Sequence, residues 1–365
     1  MREIDSEFVD KKEFSKRFVS VGLLEDDQRL SEIYKNLEQI QGSKMTKQEL
    51  FDVVQENLAV VEKTLAEDFI IPQFEKFKDD VKELYKVCKS NNQGKPADYI
   101  PELAKANPDH FGVSICTVDG QRMSVGDSKV PFSVQSTSKP ISYCIALENF
   151  GPDKVHEHVG HEPSGVEFNA VTLNSEGKPH NPLINAGAIM VCSLIYPELK
   201  QSERFSRMRN MWERLAGNRR INYDNTIYLS ERSTADTNRA LAYMMRSKNA
   251  FPPNTDITDV LEFYFQICSL QTDCETMSII AATLANGGVF PSTGERVLRS
   301  ETVQQCLSVM NSCGMYDYSG EFAFKIGLPA KSGVSGAIMI IVPGLMGICT
   351  FSPNLDSYGN STRGV

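Results

Sequence analysis

The stretch from Val334 to Phe351 constrains the fold of this 365-residue chain more than any other segment. It is strongly apolar, but Gly336 and the Pro343-Gly344 pair interrupt it, so it falls short of the roughly 20 uninterrupted apolar residues that a membrane-spanning helix needs. Two apolar runs joined by a Pro-Gly turn are typical of adjacent strands. The sequence therefore predicts a sheet near the end of the chain.

The fold class follows from the other patterns after residue 97. A third β-like run extends from Gly112 to Val118, and helical patterns occupy the region between the two groups of strands. This order predicts an α+β fold in which an antiparallel sheet is covered by helices. The helical patterns are Ile141 to Glu148, Met208 to Leu215, Arg239 to Met245, Ile257 to Cys268 and Thr276 to Ala285.

The first 90 residues show helical periodicity without β-like runs, and the polar run from Ser90 to Pro96 then follows. We therefore predict an all-α N-terminal domain over residues 1–95 and a second domain over residues 96–365. No D-x-[DN]-x-[DN]-G loop occurs in residues 1–90, which argues against an EF-hand calcium role.

Charge and cysteine content limit the partners and the compartment. The net charge is −9 and no basic run is evident, so we expect neither a nucleic-acid nor a membrane partner. The nine cysteines are odd in number and form no C-x-x-C pair, which favours a reducing compartment. The acidic first ten residues resemble neither a signal nor a transit peptide, so we expect any targeting segment to be absent or already removed.

The string Ser136-Thr137-Ser138-Lys139-Pro140 contains S-x-x-K, which places a serine and a lysine one helical turn apart. Pro140 is tolerated only in the first turn, so the helix must begin close to Ser136. At that position the helix dipole favours negative charge on the Ser136 oxygen, and the free backbone N–H is able to stabilise an oxyanion. Ser136 is therefore a candidate nucleophile, and a desolvated Lys139 is suited to act as its base. The alternative is a simple N-cap serine beside a surface lysine.

A second motif supports the catalytic alternative. Lys331-Ser332-Gly333 precedes the apolar strands, and S-x-x-K followed by K-[ST]-G is the pairing of penicillin-recognising acyl-transfer enzymes. Their middle S-x-N element is not evident, and Met315 to Tyr318 occupies that region instead.

Two other groups of residues carry weaker signals. His156, His158 and His161 lie close together, but no carboxylate or cysteine accompanies them at a metal-ligand spacing, so we predict no metal site. Tyr264 has helical spacing with Ile257, so the pattern alone makes it a core residue.

The residues resemble one family, the serine-dependent glutaminases, in particular the animal phosphate-activated kidney or liver type. The resemblance covers about Tyr99 to Gly359. Its main strings are Gln135-Ser136, Lys139-Pro140, Glu162 to Gly165, Pro179 to Pro182, Asn185 to Ile189, Ala281 to Gly288, Cys313 to Asp317 and Gly327 to Val334.

The resemblance implies a β-lactamase-like catalytic domain that hydrolyses L-glutamine to L-glutamate and ammonia through a γ-glutamyl-serine intermediate. By position, it implies Ser136 as the nucleophile, Lys139 as its base and Tyr316 as a proton relay. It also implies that the backbone N–H groups of Ser136 and Val334 form the oxyanion hole. The residues implied to bind the substrate besides Ser136, Tyr316 and Val334 are Tyr99, Asn185, Glu231, Asn238 and Tyr264.

The resemblance also implies properties of the whole protein: no cofactor, inorganic phosphate as activator, and a homotetramer built as a dimer of dimers that forms higher assemblies in some relatives. It implies a mitochondrial location, although this chain shows no transit peptide and a cytoplasmic location stays open. Two rival functions stay open as well, a penicillin-binding-type peptidase or β-lactamase, and a non-catalytic scaffold of the same fold.

The segment from Gly165 to Thr172, which includes Phe168 and Ala170, resembles the gating loop of the family. Kidney-type enzymes carry a lysine at the position of Ala170 and a phenylalanine at that of Thr172. The segment therefore lacks two side chains that connect assembly to loop closure in those enzymes.

We predict that phosphate activation and the response to inhibitors that bind at this loop are weakened in this chain. The double variant Ala170→Lys, Thr172→Phe should strengthen both, as measured by phosphate titration of glutaminase activity with and without such an inhibitor. Unchanged titration curves would contradict this prediction.

Overall fold

The computed structural model describes residues 8–165 and 170–365. Up to residue 89 its elements are helices and one short two-stranded ladder. They are β1 (Phe8–Asp10), α1 (Lys11–Ser20), α2 (Ser31–Gln39), β2 (Lys44–Thr46), α3 (Lys47–Val54), α4 (Leu58–Ala66) and α5 (Phe74–Lys89).

The remaining elements alternate between short strands and helices. The strands are β3 (Gly112–Thr117), β4 (Arg122–Gly126), β5 (Phe132–Ser133), β6 (Asn222–Tyr223), β7 (Leu270–Thr272), β8 (Ala330–Ser332), β9 (Ala337–Val342) and β10 (Met346–Phe351). The helices are α6 (Ser138–His156), α7 (Asn185–Leu194), α8 (Gln201–Leu215), α9 (Asn225–Ser233), α10 (Asp236–Ser247), α11 (Ile257–Cys268), α12 (Cys274–Ala285), α13 (Ser300–Cys313) and α14 (Ser319–Lys325).

A five-stranded antiparallel sheet with the order β4-β3-β10-β9-β8 forms the centre of the larger part. β9 and β10 are the two apolar strands predicted around Pro343-Gly344, and the predicted α+β class is confirmed. Helix α12 packs on one face of the sheet, and α5 covers the opposite face through Phe74 and its neighbours. The sheet therefore has two apolar faces and is buried on both sides.

The predicted helices after residue 97 are all present, with some differences in length. The helix Ile257–Cys268 has the predicted bounds. Helix α6 is longer than predicted, because it continues to His156 through a kink at Gly151, which has a φ of +76° and precedes Pro152. Helices α7 and α12 are apolar on all sides and lie in the largest core cluster.

The N-terminal region is helical as predicted, with one addition. Phe8–Asp10 pairs with Lys44–Thr46, a ladder too short for sequence periodicity to reveal. Thr46 ends this ladder and begins α3 through a capping box with Glu49, in which the Thr46 N–H donates to the Glu49 carboxylate at 2.7 Å.

Buried polar contacts join the N-terminal region to the rest of the chain. The amide of Gln121, fully buried, donates to the carbonyls of Val21 and Ile71, at 2.9 Å each. Asp26 forms ion pairs with both Arg122 and Arg219. These contacts fix the N-terminal helices against the sheet, and the division into residues 1–95 and 96–365 stays a proposal.

Within the described residues, no helix combines the length and the apolar character needed to cross a bilayer.

A close approach between the sheet and α12 gives a test of the packing. A Cβ added to Gly347 of β10 would lie 2.1 Å from the backbone nitrogen of Ala282 in α12, so backbone would have to move. We expect Gly347→Ala to lower the free energy of unfolding by about 1–3 kcal/mol. The measurement is urea unfolding followed by circular dichroism.

The matched control is Gly320→Ala in α14, where an added Cβ meets no atom within 4 Å and the backbone is helical. It should be neutral or stabilise by up to about 1 kcal/mol. Equal effects of the two substitutions would show that the sheet and α12 do not pack as described.

Candidate active site

Ser136 lies in a tight turn over Gln135–Thr137 that leads directly into α6, as the Pro140 argument predicts. The turn is held by short bonds from the Thr137 hydroxyl to the Val134 carbonyl at 2.5 Å and from the Ser138 hydroxyl to the Gln135 carbonyl at 2.6 Å. Ser136 is buried. Its hydroxyl is therefore carried on a rigid element at the positive end of α6.

Lys139 lies one turn further along and is only 1% exposed, so the alternative of a surface lysine is wrong. Its Nζ donates to Asn185 Oδ1 at 2.6 Å, and the Asn185 amide donates to Asn238 Oδ1 at 3.1 Å. Burial lowers the pKa of Lys139 to about 8, although the negative charge of Glu231 opposes this shift. At neutral to mildly alkaline pH, a substantial fraction of Lys139 is the neutral amine that a base requires.

Glu231 of α9 supplies the negative charge of the site and is 7% exposed. Burial raises its pKa to about 7, while the positive charge of Lys139 and the nearby amide of Gln135 oppose the shift. No Lys, Arg or His of the described chain lies within ion-pair distance of Glu231, and its Oε2 accepts no hydrogen bond from a described residue. Such a carboxylate is suited to bind an ammonium group.

Tyr316 follows α13 in a short turn with a φ of +54°, a left-handed backbone that is unusual for a tyrosine. The Nζ of Lys331 lies 4.3 Å from the centre of its ring and donates to the carbonyls of Gly314 at 3.0 Å and Ser332 at 2.7 Å. Burial raises the pKa of the Tyr316 phenol, and a hydrogen bond with Ser136 opposes this. The phenol is thus a proton-carrying group beside the candidate nucleophile.

Val334 follows β8 and contacts the cluster that contains Tyr316. The preceding Gly333 makes the close approach possible, because a Cβ there would lie 3.1 Å from both the Val134 carbonyl and the Thr137 side chain. The backbone of Val334 therefore lies beside the turn that carries Ser136.

The two other tyrosines differ in exposure. Tyr264 is buried on α11 beside Phe265, so the prediction that it is a core residue holds, and both burial and the charge of Glu231 raise the pKa of its phenol. Tyr99 is 54% exposed as a whole residue. Burial of its phenol raises the pKa of that group, and the nearby Glu231 and Tyr316 add to the shift.

The candidate gating loop is described only at its ends. Phe168 lies outside the described residues, whereas Gly165, with a φ of +69°, and the Ala170 to Thr172 turn lie within them. The Thr172 N–H donates to the Ala170 carbonyl at 2.9 Å. Gly165 and Tyr316 line one cavity of about 560 Å³, so this end of the loop lies near the candidate site.

Two of the three histidines make hydrogen bonds within the fold. His156 Nε2 lies 2.9 Å from the Tyr143 hydroxyl, and its Nδ1 lies 2.9 Å from the Val159 carbonyl. His158 Nδ1 lies 2.8 Å from the Ala250 carbonyl. Over the described residues, no three His, Cys, Asp or Glu side chains gather as metal ligands would.

Sequence reasoning missed two residues of the site. Gln135, which contacts Glu231 and has a φ of +45°, appeared only as the residue before the serine. Lys331 was named only as part of the K-S-G motif, without a role of its own, and is fully buried against Tyr316. The K-S-G motif could have indicated a role for Lys331. No sequence pattern predicts the positive φ of Gln135.

A family model described as Glutaminase matches residues 94–365, which include every candidate site residue above. The chain belongs to the glutaminase family. A model described as EF-hand domain matches residues 1–72.

Individual glutaminases are similar over long stretches. The mouse protein named "Glutaminase liver isoform, mitochondrial" is 45% identical over 96% of this chain and 59% of its own length. The "Glutaminase" of Nostoc is 48% identical over 78% of this chain and 84% of its own. The solved structure of "Probable glutaminase ybaS" has a TM-score of 0.76 and 39% identity over 80% of this chain and 93% of that one. The chain spans about three fifths of the animal relatives.

The EF-hand match refines the N-terminal prediction. The helix–loop–helix of α2 and α3, with its ladder through β2, fits that architecture, yet the loop from Ile40 to Thr46 contains no carboxylate. The D-x-[DN]-x-[DN]-G pattern describes calcium ligands only, so its absence did not exclude similarity to an EF-hand domain that does not depend on those ligands.

The perturbed pKa values predict the pH dependence of the candidate site. If neutral Lys139 is the base and ionised Glu231 binds the substrate ammonium, kcat/KM for L-glutamine should rise from pH 6 to 9, because both groups lose a proton in that range. Lys139→Arg keeps the charge but stays protonated, so it should lose about 10²- to 10⁴-fold in kcat. A flat profile, or an active Lys139→Arg enzyme, would contradict the assignment.

Proposed function

We propose that this chain is a glutaminase that hydrolyses L-glutamine to L-glutamate and ammonia through a γ-glutamyl-serine intermediate. The observation that carries the proposal is the convergence of Ser136, the low-pKa Lys139 and the Tyr316 phenol on a site that also contains the buried carboxylate of Glu231. Membership of the glutaminase family supports the same substrate.

In the acylation step, Ser136 Oγ forms a bond to the γ-carbonyl carbon of glutamine, and its proton passes to the neutral Nζ of Lys139. The N–H groups of Ser136 and Val334 stabilise the oxyanion. The C–N bond then breaks, and the leaving nitrogen takes a proton from the Tyr316 phenol. Ammonia departs, and the proton on Lys139 returns the phenol to its neutral form.

In the deacylation step, Lys139 removes a proton from water as the water oxygen attacks the γ-glutamyl ester. The C–O bond to Ser136 breaks, and Ser136 Oγ takes back the proton that Lys139 accepted from the water, so both groups return to their starting states. The role of Asn185 is to hold the Lys139 amine toward the serine, since its Oδ1 accepts from that amine at 2.6 Å. The products of the cycle are glutamate, ammonia and the free enzyme.

Substrate selection rests on the two charged groups of the amino acid. The Glu231 carboxylate is assigned to the α-ammonium, because it is buried without an ion-pair partner in the described chain. The amides of Asn185 and Asn238 and the phenols of Tyr99 and Tyr264 are assigned to the remaining polar atoms. A buried charge left unpaired is costly, so substrates without an α-ammonium should bind poorly.

The rival functions receive less support. A penicillin-binding-type peptidase or β-lactamase shares the two lysine motifs, but it acts on an acylated D-alanine or a lactam, whose acylated nitrogen offers no ammonium to the buried carboxylate of Glu231. A non-catalytic scaffold does not require a lysine with a lowered pKa beside a serine.

We further propose a homotetramer, phosphate as activator and a mitochondrial location. The support for the location is similarity to a mouse protein whose name includes mitochondrial. The support for phosphate activation and assembly is the likeness to animal liver-type enzymes.

Ser136→Ala should reduce release of ammonia from L-glutamine by at least about 10³-fold, because no other atom can form the acyl intermediate. The measurement is a coupled glutamate assay, with nitrocefin as the probe for β-lactamase activity. The matched control is Ser142→Ala on the same helix, whose hydroxyl donates to the Ser138 carbonyl at 3.1 Å away from the site.

Near-normal activity of Ser136→Ala would overturn the mechanism, and hydrolysis of nitrocefin instead of glutamine would favour the β-lactamase alternative.

A further inference from the structure

A cavity of about 560 Å³ adjoins the candidate active site, and Tyr316 forms the wall between them. Among the candidate catalytic and substrate-binding residues, only Tyr316 lines it, within the described part of the chain. The other walls come from the ends of α13 and α14, from the residues before α7 and from the start of the gating loop. They include Cys313, Ser312, Gly320, Ile184 and Gly165.

We propose that this cavity is the leaving-group subsite: it receives the amine that departs from the γ-carbonyl and accommodates small alkylamines in place of ammonia. The inference rests on the proposed function, in which Tyr316 protonates the leaving nitrogen. A nitrogen that takes its proton from this phenol must be next to the ring, and any substituent on it has to extend past the ring edge.

Hydrogen bonds hold the Tyr316 side of the cavity in place. The Ser319 hydroxyl accepts a hydrogen bond from the Met315 N–H at 2.9 Å and donates to the Tyr316 carbonyl at 2.6 Å. The ammonium of Lys331 packs on the Tyr316 ring, and Asn360 donates to the Met315 carbonyl at 3.2 Å. A rigid wall makes the size of the cavity a constraint on what can leave.

The charge of the lining suits an amine. Among the described lining residues only Asp317 is charged, and it is exposed at the rim. A carboxylate at the outlet attracts the ammonium ion into which ammonia is converted in neutral water, and it disfavours entry of anions such as the glutamate product.

Over the described residues, the polar side chains of the lining other than Asp317 are satisfied or uncharged and do not form a tight binding site. The Asn181 amide donates to the Glu162 carbonyl and its oxygen accepts from the Leu183 N–H, both at 3.0 Å. Burial raises the pKa of the Cys313 thiol, which keeps it in the uncharged form. These satisfied and neutral groups are suited to the passage of a small product.

The lining contains one residue whose substitution should make the cavity smaller and one whose substitution should make it larger. A Cβ added to Gly320 meets no atom within 4 Å, and its backbone is helical, so a larger side chain can be introduced without backbone strain. Gly320→Phe should narrow the cavity, and Cys313→Ala should widen it. Glu321→Phe introduces the same side chain at the next position of α14, which is exposed and does not line the cavity.

The experiment compares kcat/KM for L-glutamine and for its γ-N-methyl, γ-N-ethyl and γ-N-butyl amides in the 365-residue chain. We expect wild type to cleave the ethylamide. Gly320→Phe should lower the ethylamide-to-glutamine ratio by about tenfold or more, the scale on which a pocket discriminates one or two carbon atoms. Cys313→Ala should raise the butylamide-to-glutamine ratio by about threefold or more. Glu321→Phe should leave both ratios at the wild-type value.

Ratios in Gly320→Phe and Cys313→Ala equal to wild type would overturn the subsite, as would a wild-type enzyme that cleaves glutamine but none of the amides. Failure of wild type to hydrolyse L-glutamine would instead overturn the proposed function. If Gly320→Phe fails to fold, the Cys313→Ala arm decides alone, since it removes one atom and adds none.

Discussion

The hydrogen bond from Lys139 Nζ to Asn185 Oδ1 is the interaction on which the candidate site depends. The Lys139 amine is 1% exposed, and it keeps a neutral fraction near physiological pH because burial disfavours its charged form. Its N–H groups also need a hydrogen-bond acceptor that carries no full negative charge. An amide oxygen meets both conditions. A carboxylate at the same place would hold the amine protonated and unable to accept a proton.

This requirement explains how the surrounding elements are arranged. Asn185 is the first residue of α7, and α7 and α6 are both buried in the main core, so the distance between the two side chains is set by helix packing. Glu231 is the nearby charge that pushes the pKa of Lys139 back upward. A substrate ammonium bound to that carboxylate would cancel its effect and favour the neutral amine, which couples substrate binding to activation of the base.

The sequence predicted the parts of the structure that depend on local pattern. The two C-terminal strands, the helix Ile257–Cys268 and the start of α6 near Ser136 follow from apolar periodicity and from the restrictions on proline. The short β1 and β2 ladder did not, because three-residue strands carry no periodicity. The burial of Lys331 and the left-handed turn at Tyr316 arise from residues distant in sequence, which single-sequence reasoning cannot bring together.

The state of the cysteines has a consequence for how such a site responds to oxidative stress. Eight of the nine are buried, all nine are free, and the pKa values of those nearest Lys139, Cys192 and Cys268, are raised by burial. Peroxide attacks thiolates, so we expect these thiols to react slowly even though they lie near the candidate catalytic groups. The reacting atoms of the proposed mechanism are a hydroxyl, an amine and a phenol, so we expect a site of this design to respond to acidity much more than to the redox poise of its compartment.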